Sequence, residues 1–291
     1  MLLQYILNGL AIGMAYALVA VGYSLVFGIL RLINFSHGSI YAFGAHMVFV
    51  FVGMNFGVWA GIAASIILTG LLGVAIDKVA LKPLRKKNSI PIASLITTIG
   101  VSYIIQNLLM VFLGSERKSF PDFMNFGSFM VSGVQLKSSQ IVLFSVSFVL
   151  LVVLSVVIHK TKIGLAMRAV EQNSRAASLM GIEVNSVISF TFFLGGASAA
   201  IAGALMAAYY QLVYPTMGFL LGLKAFAAAV LGGIGVLYGS VVGGLVVGVT
   251  ESLAMGYLGG TYRDAAAFII LIVILIIKPT GLFGKKGITK V

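Results

Sequence analysis

Long stretches without a charged residue are the feature of this 291-residue sequence that most restricts its fold. Residues 1–30 carry no charge, residues 32–76 continue uncharged for 45 positions, and residues 184–223 for 40. A membrane-spanning helix needs about 20 consecutive apolar residues. The runs do not alternate as strands do, and lipid tolerates only structures that satisfy their own backbone hydrogen bonds. We therefore predict an all-α, polytopic helical membrane protein.

The shorter uncharged runs complete the count of spans. They cover residues 90–113, 141–158, 225–250 and 265–277. Turn residues near positions 55–57, 214–216 and 232–235 divide the longest runs, so we predict nine spans within a range of eight to ten. The chain is 60% hydrophobic and 9% charged, against about 25% charged residues in ordinary soluble domains. One transmembrane domain over residues 1–291 accounts for the whole length.

The basic residues indicate the orientation. The sequence has 19 Lys and Arg against 7 Asp and Glu, and 14 of the 19 fall at Arg31, in loops 77–87 and 159–183, and after residue 277. Basic loops stay in the cytoplasm. This predicts a periplasmic N-terminus and a cytoplasmic C-terminus, which an odd number of spans satisfies. The surplus of +12 therefore reflects insertion topology, and nucleic acid is not expected as a partner.

The sequence lacks the motifs of a catalytic, metal-binding or nucleotide-binding site. Cysteine is absent, and three histidines offer little support for a metal site. The stretch around Lys285 lacks the P-loop pattern, because Pro279 and Lys286 occupy the positions of the first Gly and of the Ser or Thr. We therefore expect no enzyme activity, no metal and no cofactor bound by this chain.

A polar segment interrupts the apolar pattern between the first two predicted spans. It contains Asn34, Ser36 and His37. Such residues can cap and restart a helix, and broken helices build polar sites in transporters. An interfacial turn beside a snorkelling Arg31 is the equally weighted alternative. Under the first interpretation these three residues belong to a translocation path.

Two charges lie inside predicted spans. Lys224 and Glu251 each fall about six residues from the outer end of adjacent antiparallel spans, so both lie roughly 9 Å below one surface. Charges at that depth are costly and usually paired. The sequence predicts an intramembrane ion pair, which either fixes helix register or contacts the transported substrate.

The residue pattern of the basic loop at residues 164–181 predicts two short helices. The first is amphipathic, and Asn173 or Ser174 can cap a second helix that Gly181 terminates. A helical pair on the cytoplasmic face suggests a docking surface for a cytoplasmic partner. An amphipathic segment that faces lipid headgroups is the alternative.

Five stretches, in order along the chain, carry a family resemblance. They are residues 32–38 (LINFSHG), 98–107 (TIGVSYIIQN), 164–171 with 176–182 (GLAMRAVE, AASLMGI), 222–233 (GLKAFAAAVLGG) and 278–284 (KPTGLFG). With them the chain resembles permease subunits of ABC importers for branched-chain amino acids. Its short N-terminus and short length resemble the smaller of the two paralogous permeases in such importers.

The resemblance implies a division of labour among subunits. The permease would pair with a second, paralogous permease or with itself. Two ABC ATPase subunits would bind ATP and Mg on the cytoplasmic side, and a periplasmic substrate-binding protein would deliver substrate. The assembly would lie in the lipid bilayer of a bacterial inner membrane.

The ATPase-docking loop would lie within residues 159–186. Its residues would be Gly164, Arg168, Arg175, Ala176, Ala177 and Gly181. The importers' pattern has Glu before the two alanines, where this chain has Arg175, which weakens any specific salt-bridge assignment.

The implied function is ATP-driven, alternating-access import of leucine, isoleucine and valine. A permease for urea or short amides in the same architecture is the runner-up, because those permeases look very similar. A third hypothesis is a secondary transporter or channel that works alone, and the docking-like loop disfavours it. A purely structural membrane subunit has no sequence feature in its favour.

Overall fold

The computed structural model of the chain describes residues 1–87, 89–131 and 134–284, most of which are helical. In these residues the helices are α1 (Leu2–Leu30), α2 (His37–Gly53), α3 (Val58–Ala75), α4 (Lys82–Lys86), α5 (Pro91–Leu113), α6 (Ser138–Lys160), α7 (Lys162–Gln172), α8 (Ser174–Leu179), α9 (Val184–Tyr210), α10 (Met217–Gly232), α11 (Leu237–Tyr257) and α12 (Arg263–Ile277). A π-helical segment, Ile76–Leu81, joins α3 to α4, and a 3-10 turn, Gly260–Tyr262, precedes α12.

Each of the nine predicted apolar runs forms a helix. Seven helical segments are long and apolar enough to cross a membrane, where α3 is counted within Val58–Lys86 and α12 together with its preceding 3-10 turn as Gly260–Ile277. The other two, α2 and α10, are apolar but shorter, at 17 and 16 residues. At 1.5 Å per residue they extend about 24–26 Å, which is less than the ~30 Å thickness of a bilayer core. The chain is therefore a multi-pass helical membrane protein that contains two short apolar helices.

Four short strands correct the all-α prediction in detail. β1 (Lys118–Ser119) pairs antiparallel with β4 (Leu212–Val213), and β2 (Ser128–Val131) pairs with β3 (Val134–Lys137). The strands belong to connections between helices, where alternation over two to four residues gives no usable sequence signal. The β1–β4 pair ties the connection after α5 to the connection after α9, whereas β2 and β3 pair within the connection between α5 and α6.

The helix ends define two opposite faces. On the first, here the N-terminal face, the Tyr5 ring at the start of α1 packs on Tyr257 at the end of α11, with centroids 5.8 Å apart. On the second, the basic face, Ser189 at the start of α9 donates a 2.8 Å hydrogen bond to Asp77. The basic face carries the residues predicted to be cytoplasmic. Of these, Lys285, Lys286 and Lys290 lie outside the described residues.

Small residues allow α1 and α11 to pack closely along most of their length. Gly9 and Gly13 of α1 lie against the backbone of Gly244, Leu245, Gly248 and Val249 in α11. Lipid supplies no hydrophobic drive between helices, so association depends on such close van der Waals contact. The middle of α1 is consequently buried almost all round, and Ala17, Leu18, Val19 and Ala20 are fully inaccessible.

The two short helices begin near each other inside the bundle. The His37 imidazole at the start of α2 packs against Gly22, eight residues before the end of α1, or about 12 Å along the α1 axis. In the first turns, Gly218 and Gly222 of α10 contact Gly38 of α2, and a Cβ on any of the three would meet backbone. From this mid-depth junction α2 runs to the N-terminal face and α10 to the basic face.

The α1–α11 contact makes a testable prediction. The Gly248→Ala variant should lower the stability of the detergent-purified chain by about 1–3 kcal/mol, since its Cβ would lie 2.5 Å from the Gly9 carbonyl oxygen. The matched control is Gly100→Ala in α5, where a Cβ meets nothing within 4 Å. Thermal unfolding followed by size-exclusion fluorescence measures both. Equal stability of the two variants would contradict the packing described here.

Candidate functional site: a mid-depth cavity, a buried charge network and a helical pair at the basic face

The predicted path residues lie inside the bundle. Asn34, Ser36 and His37 are 3%, 0% and 2% exposed. The Asn34 carboxamide oxygen accepts hydrogen bonds from the Ser36 backbone N–H at 3.1 Å and from its hydroxyl at 2.5 Å. Ser36 is the N-cap residue of α2, but its side chain does not cap the helix. Asn34 therefore fixes a turn that leads the chain into α2.

Two polar atoms of this segment have no hydrogen-bond partner among the described residues. They are Asn34 Nδ2 and His37 Nε2, both buried. Buried polar atoms are nearly always satisfied, so unpaired ones indicate a strained or functional region. The segment thus places polar groups at a depth where lipid could not satisfy them.

A cavity of about 290 Å³ lies at the mid-depth junction. Its polar wall comes from Ser39, Ser102 and Gln106: the two serine hydroxyls are 2.6 Å apart, and Gln106 Nε2 donates to Ser39 at 3.4 Å. Aromatic, aliphatic and glycine residues complete the lining, namely Tyr23, Phe35, Tyr103 and Phe219 with Ile99, Leu223, Gly38, Gly218 and Gly222. The side chains of Asn34, Ser36 and His37 do not line it.

The cavity lies beside the predicted polar segment, but sequence reasoning missed the polar residues that line it. Ser102 and Gln106 are polar residues four positions apart in α5, which puts them on one helix face. That spacing was the available signal. It did not indicate that this face of α5 lies opposite Ser39, because the two segments are 63 residues apart.

Lys224 and Glu251 belong to a network of four charged residues. Lys224 Nζ lies 2.7 Å from Glu251 Oε1 and donates to Asp264 Oδ1 at 2.5 Å. Arg263 Nε donates to Glu251 Oε2 at 3.1 Å, and the Tyr16 hydroxyl donates to the same oxygen at 2.8 Å. Lys224 and Glu251 are 4% and 1% exposed.

The network joins five helices. Tyr16 lies on α1, Lys224 on α10 and Glu251 on α11, while Arg263 begins α12 and donates to the Tyr210 hydroxyl at the end of α9 at 2.5 Å. The sequence did not connect Arg263 and Asp264 with the buried pair. Their 12-residue and 40-residue separations from Glu251 and Lys224 carry no periodic signal.

The helical pair at the basic face consists of α7 and α8. Thr161 Oγ1 accepts from the Gly164 N–H at 3.1 Å and caps α7. Asn173 Oδ1 accepts from the N–H groups of Arg175 and Ala176 at 3.0 Å each and caps α8, and Gly181 follows α8 with φ of 84°. That left-handed backbone favours glycine.

The predicted docking residues divide into three groups by their burial. Gly164 and Ala177 are buried, and Gly164 packs against the backbone of α6 at Val157 and Ile158. Arg168 donates a long, 3.4 Å hydrogen bond to the His159 carbonyl. Arg175, Ala176 and Gly181 are exposed. The first group thus holds the helical pair on the bundle, and the last group is available at its surface.

Two apolar side chains dominate that surface. Leu179 and Met180 are 85% and 83% exposed, at the end of α8. On the opposite side of the pair, Glu171 of α7 approaches Gly28 of α1. Partial burial there raises the pKa of the Glu171 carboxyl above its ordinary value, and Arg31 opposes this shift. The helical pair is therefore in direct contact with the α1 helix that carries Tyr16.

No group of three or more His, Asp or Glu side chains in residues 1–87, 89–131 and 134–284 is arranged to hold a metal ion. Bilayer-length apolar helices, two short helices meeting at mid-depth and a capped helical pair on one face define a polytopic membrane protein of the transport-permease class.

Comparison with known proteins gives the family. The family described as "Branched-chain amino acid transport system / permease component" matches residues 5–277, and the chain belongs to this family. It is 38% identical to the high-affinity branched-chain amino acid transport system permease protein BraD of Pseudomonas aeruginosa, over 99% of this chain and 98% of that protein. It is 37% identical to LivH of Escherichia coli K12, of the same description, over 99% and 97%.

More distant similarities are consistent with this family. The autoinducer 2 import system permease protein LsrC of Yersinia enterocolitica is 27% identical over 89% of this chain and 71% of that protein. Among solved structures, a chain of PsaBC from Streptococcus pneumoniae in complex with Fab has a TM-score of 0.53 and 15% identity, over 94% of this chain and 91% of that one. This last likeness concerns the fold alone.

The charge network yields a prediction about stability. Lys224→Met should destabilise the chain by about 3–5 kcal/mol, because it removes one partner of a buried ion pair. The double variant Lys224→Met/Glu251→Leu should recover part of this loss, since no carboxylate then remains buried without its lysine.

Lys137→Met, at an exposed lysine, is the matched control and should be neutral. Chemical or thermal unfolding in detergent measures these three variants and the single Glu251→Leu variant. If the loss of stability in the double variant equalled the sum of the losses in its two single variants, a direct interaction between Lys224 and Glu251 would be contradicted.

Proposed function

We propose that the chain is the membrane-spanning permease subunit of an ATP-driven importer that carries leucine, isoleucine and valine across a bacterial inner membrane. The observation that carries the proposal is the nearly full-length, 37–38% identity to permeases named for high-affinity branched-chain amino acid transport. The mid-depth cavity supports it, since its mainly apolar and aromatic walls with a few hydroxyl and amide groups suit a small aliphatic solute.

The partners follow from the same proposal. Two ATPase subunits would bind ATP and Mg and dock on α7 and α8, within the loop of residues 159–186. A second permease, paralogous or identical, would complete the translocation path, and a binding protein would deliver substrate at the N-terminal face. Docking of cytoplasmic ATPases requires the basic face to be cytoplasmic, in agreement with its surplus of Lys and Arg.

The transport step would couple these parts through alternating access. Closure of the ATPases would move the helical pair, whose buried Gly164 joins it to α6 and whose Glu171 side chain touches α1. α1 in turn contacts the mid-depth cavity through Tyr23 and the charge network through Tyr16. Coupling of this kind requires that ATP and substrate each bind the two permease states with different affinity.

Reconstituted uptake tests the proposed function. Proteoliposomes that contain the chain with its ATPases, its second permease and its binding protein should accumulate radiolabelled leucine only with ATP, Mg and the binding protein together. Urea and a short amide serve as competing substrates. Leucine uptake without ATP would identify a stand-alone transporter or channel, and uptake of urea in place of leucine would reassign the substrate.

The docking surface gives a separate prediction. Leu179→Ser should reduce co-purification of the ATPase subunits with the tagged chain at least about fivefold, because it removes an exposed apolar contact from the end of α8. Val79→Ser is the control, as Val79 is 77% exposed in the π-helical segment near the same face. Undiminished ATPase recovery with Leu179→Ser, or equal loss with both variants, would place the docking surface elsewhere.

A further inference from the structure

A second cavity lies beside the charge network at the N-terminal face. Its volume is about 370 Å³, and we call it the tyrosine cavity because Tyr16, Tyr41, Tyr210 and Tyr214 contribute to its wall. The volume falls in the lower part of the ~300–1,000 Å³ range of small-molecule sites. It is separate from the mid-depth cavity: α1, α2 and α10 contribute to both, but the two cavities have no lining residue in common.

One side of the tyrosine cavity is charged. Arg117, Lys224, Arg263 and Asp264 line it, and Glu251 lies directly behind Lys224 and Arg263. Counting Glu251, three cations face two carboxylates, which leaves a formal charge of +1. A small anion, or the carboxylate of a larger ligand, would balance that charge.

The network leaves particular groups free to bind a ligand. Arg117 stacks over the Tyr214 ring at 5.2 Å, and no carboxylate in the described parts of the chain lies within ion-pair distance of its guanidinium. Asp264 uses Oδ1 for Lys224, and its side chain is 49% exposed. A free guanidinium and a half-free carboxylate thus border the same cavity.

Apolar side chains also line the tyrosine cavity. Met217, Leu220 and Leu221 come from the first turns of α10, and Met206 from α9. An aliphatic side chain would be in contact with these residues, while charged groups on the same ligand would face the network. The cavity thus offers charged groups of both signs together with aliphatic side chains, which match the parts of an aliphatic α-amino acid.

We propose that the tyrosine cavity binds the zwitterion of an aliphatic amino acid on its way to the mid-depth junction. Arg117 and Arg263 hold the α-carboxylate, the free oxygen of Asp264 accepts from the α-ammonium, and the side chain lies on α10. This assignment rests on the proposed function and adds to it a substrate site in the permease itself. Selection for a zwitterion at this site would exclude urea and neutral amides.

The test combines ligand analogues with variants of the intact importer. Saturation-transfer NMR, which detects weak ligands, is recorded on the complete complex in nanodiscs without its binding protein. The ligands are leucine, leucinamide, which lacks the carboxylate, and 4-methylpentanoate, which lacks the ammonium group. The variants are Arg117→Gln and Asp264→Asn, and Glu116→Gln is the control at an exposed neighbouring acid.

The assignment predicts a crossed pattern of losses. Leucine should bind the unmodified complex about tenfold or more tightly than either analogue, since one charge-assisted hydrogen bond contributes about 1.5–3 kcal/mol. Arg117→Gln should weaken the binding of leucine about tenfold and have little effect on the binding of leucinamide. Asp264→Asn should also weaken the binding of leucine about tenfold, and it should have little effect on the binding of 4-methylpentanoate. Glu116→Gln should match the unmodified complex for all three ligands.

Two results would overturn the tyrosine-cavity assignment. The first is no leucine signal from the unmodified complex, and the second is equal leucine binding by all variants. If the same preparation still imports leucine with ATP and binding protein, the cavity assignment fails and the proposed function stands. If it imports urea and not leucine, both fail.

Discussion

The bilayer requires every backbone polar group to find a partner within the protein, and the mid-depth junction depends on this requirement. The chain leaves helical structure between α1 and α2 at a depth where lipid offers no hydrogen bonds. It does so inside the bundle, with Asn34 and Ser36 buried and the Phe35 N–H donated to Thr98 Oγ1 at 3.2 Å. Gly38, Gly218 and Gly222 then allow the two short helices to begin in backbone contact.

Charged side chains within the membrane also need partners in the protein, and the charge network provides them. The buried charges of Lys224 and Glu251 would each be costly alone, and their contacts with each other and with Asp264 and Arg263 offset the loss of hydration. Because Lys224 lies on α10 and α10 begins at the junction, a shift of this helix would change both features. α1 contacts the network through Tyr16 and approaches the helical pair at Gly28, so it is a continuous rigid element between the two faces.

Much of the architecture could be predicted from sequence because lipid imposes strong rules. Charge-free runs located the helices, and Asn173 and Gly181 located the second helix at the basic face within a residue or two. The ion pair of Lys224 with Glu251 was predicted, whereas the strand pairs, the half-depth start of α10 and the contact of Lys224 with Asp264 were not. Each depends on contacts between segments far apart in sequence, such as Lys118 with Val213, for which local pattern carries no information. For the same reason, the sequence did not show that Ser102 and Gln106 line the mid-depth cavity.

The depth of the first turn of α10 tests the central claim most directly. The chain has no cysteine, so single spin labels can be placed at Phe219→Cys in that turn and at Tyr257→Cys at the end of α11. Both positions are exposed at the bundle surface. Collision with oxygen and with a water-soluble nickel complex, measured by electron paramagnetic resonance in nanodiscs, should place Phe219 near the bilayer centre and Tyr257 near the headgroups. Equal, shallow depths at the two positions would show that α10 starts at the membrane surface and would contradict the mid-depth junction.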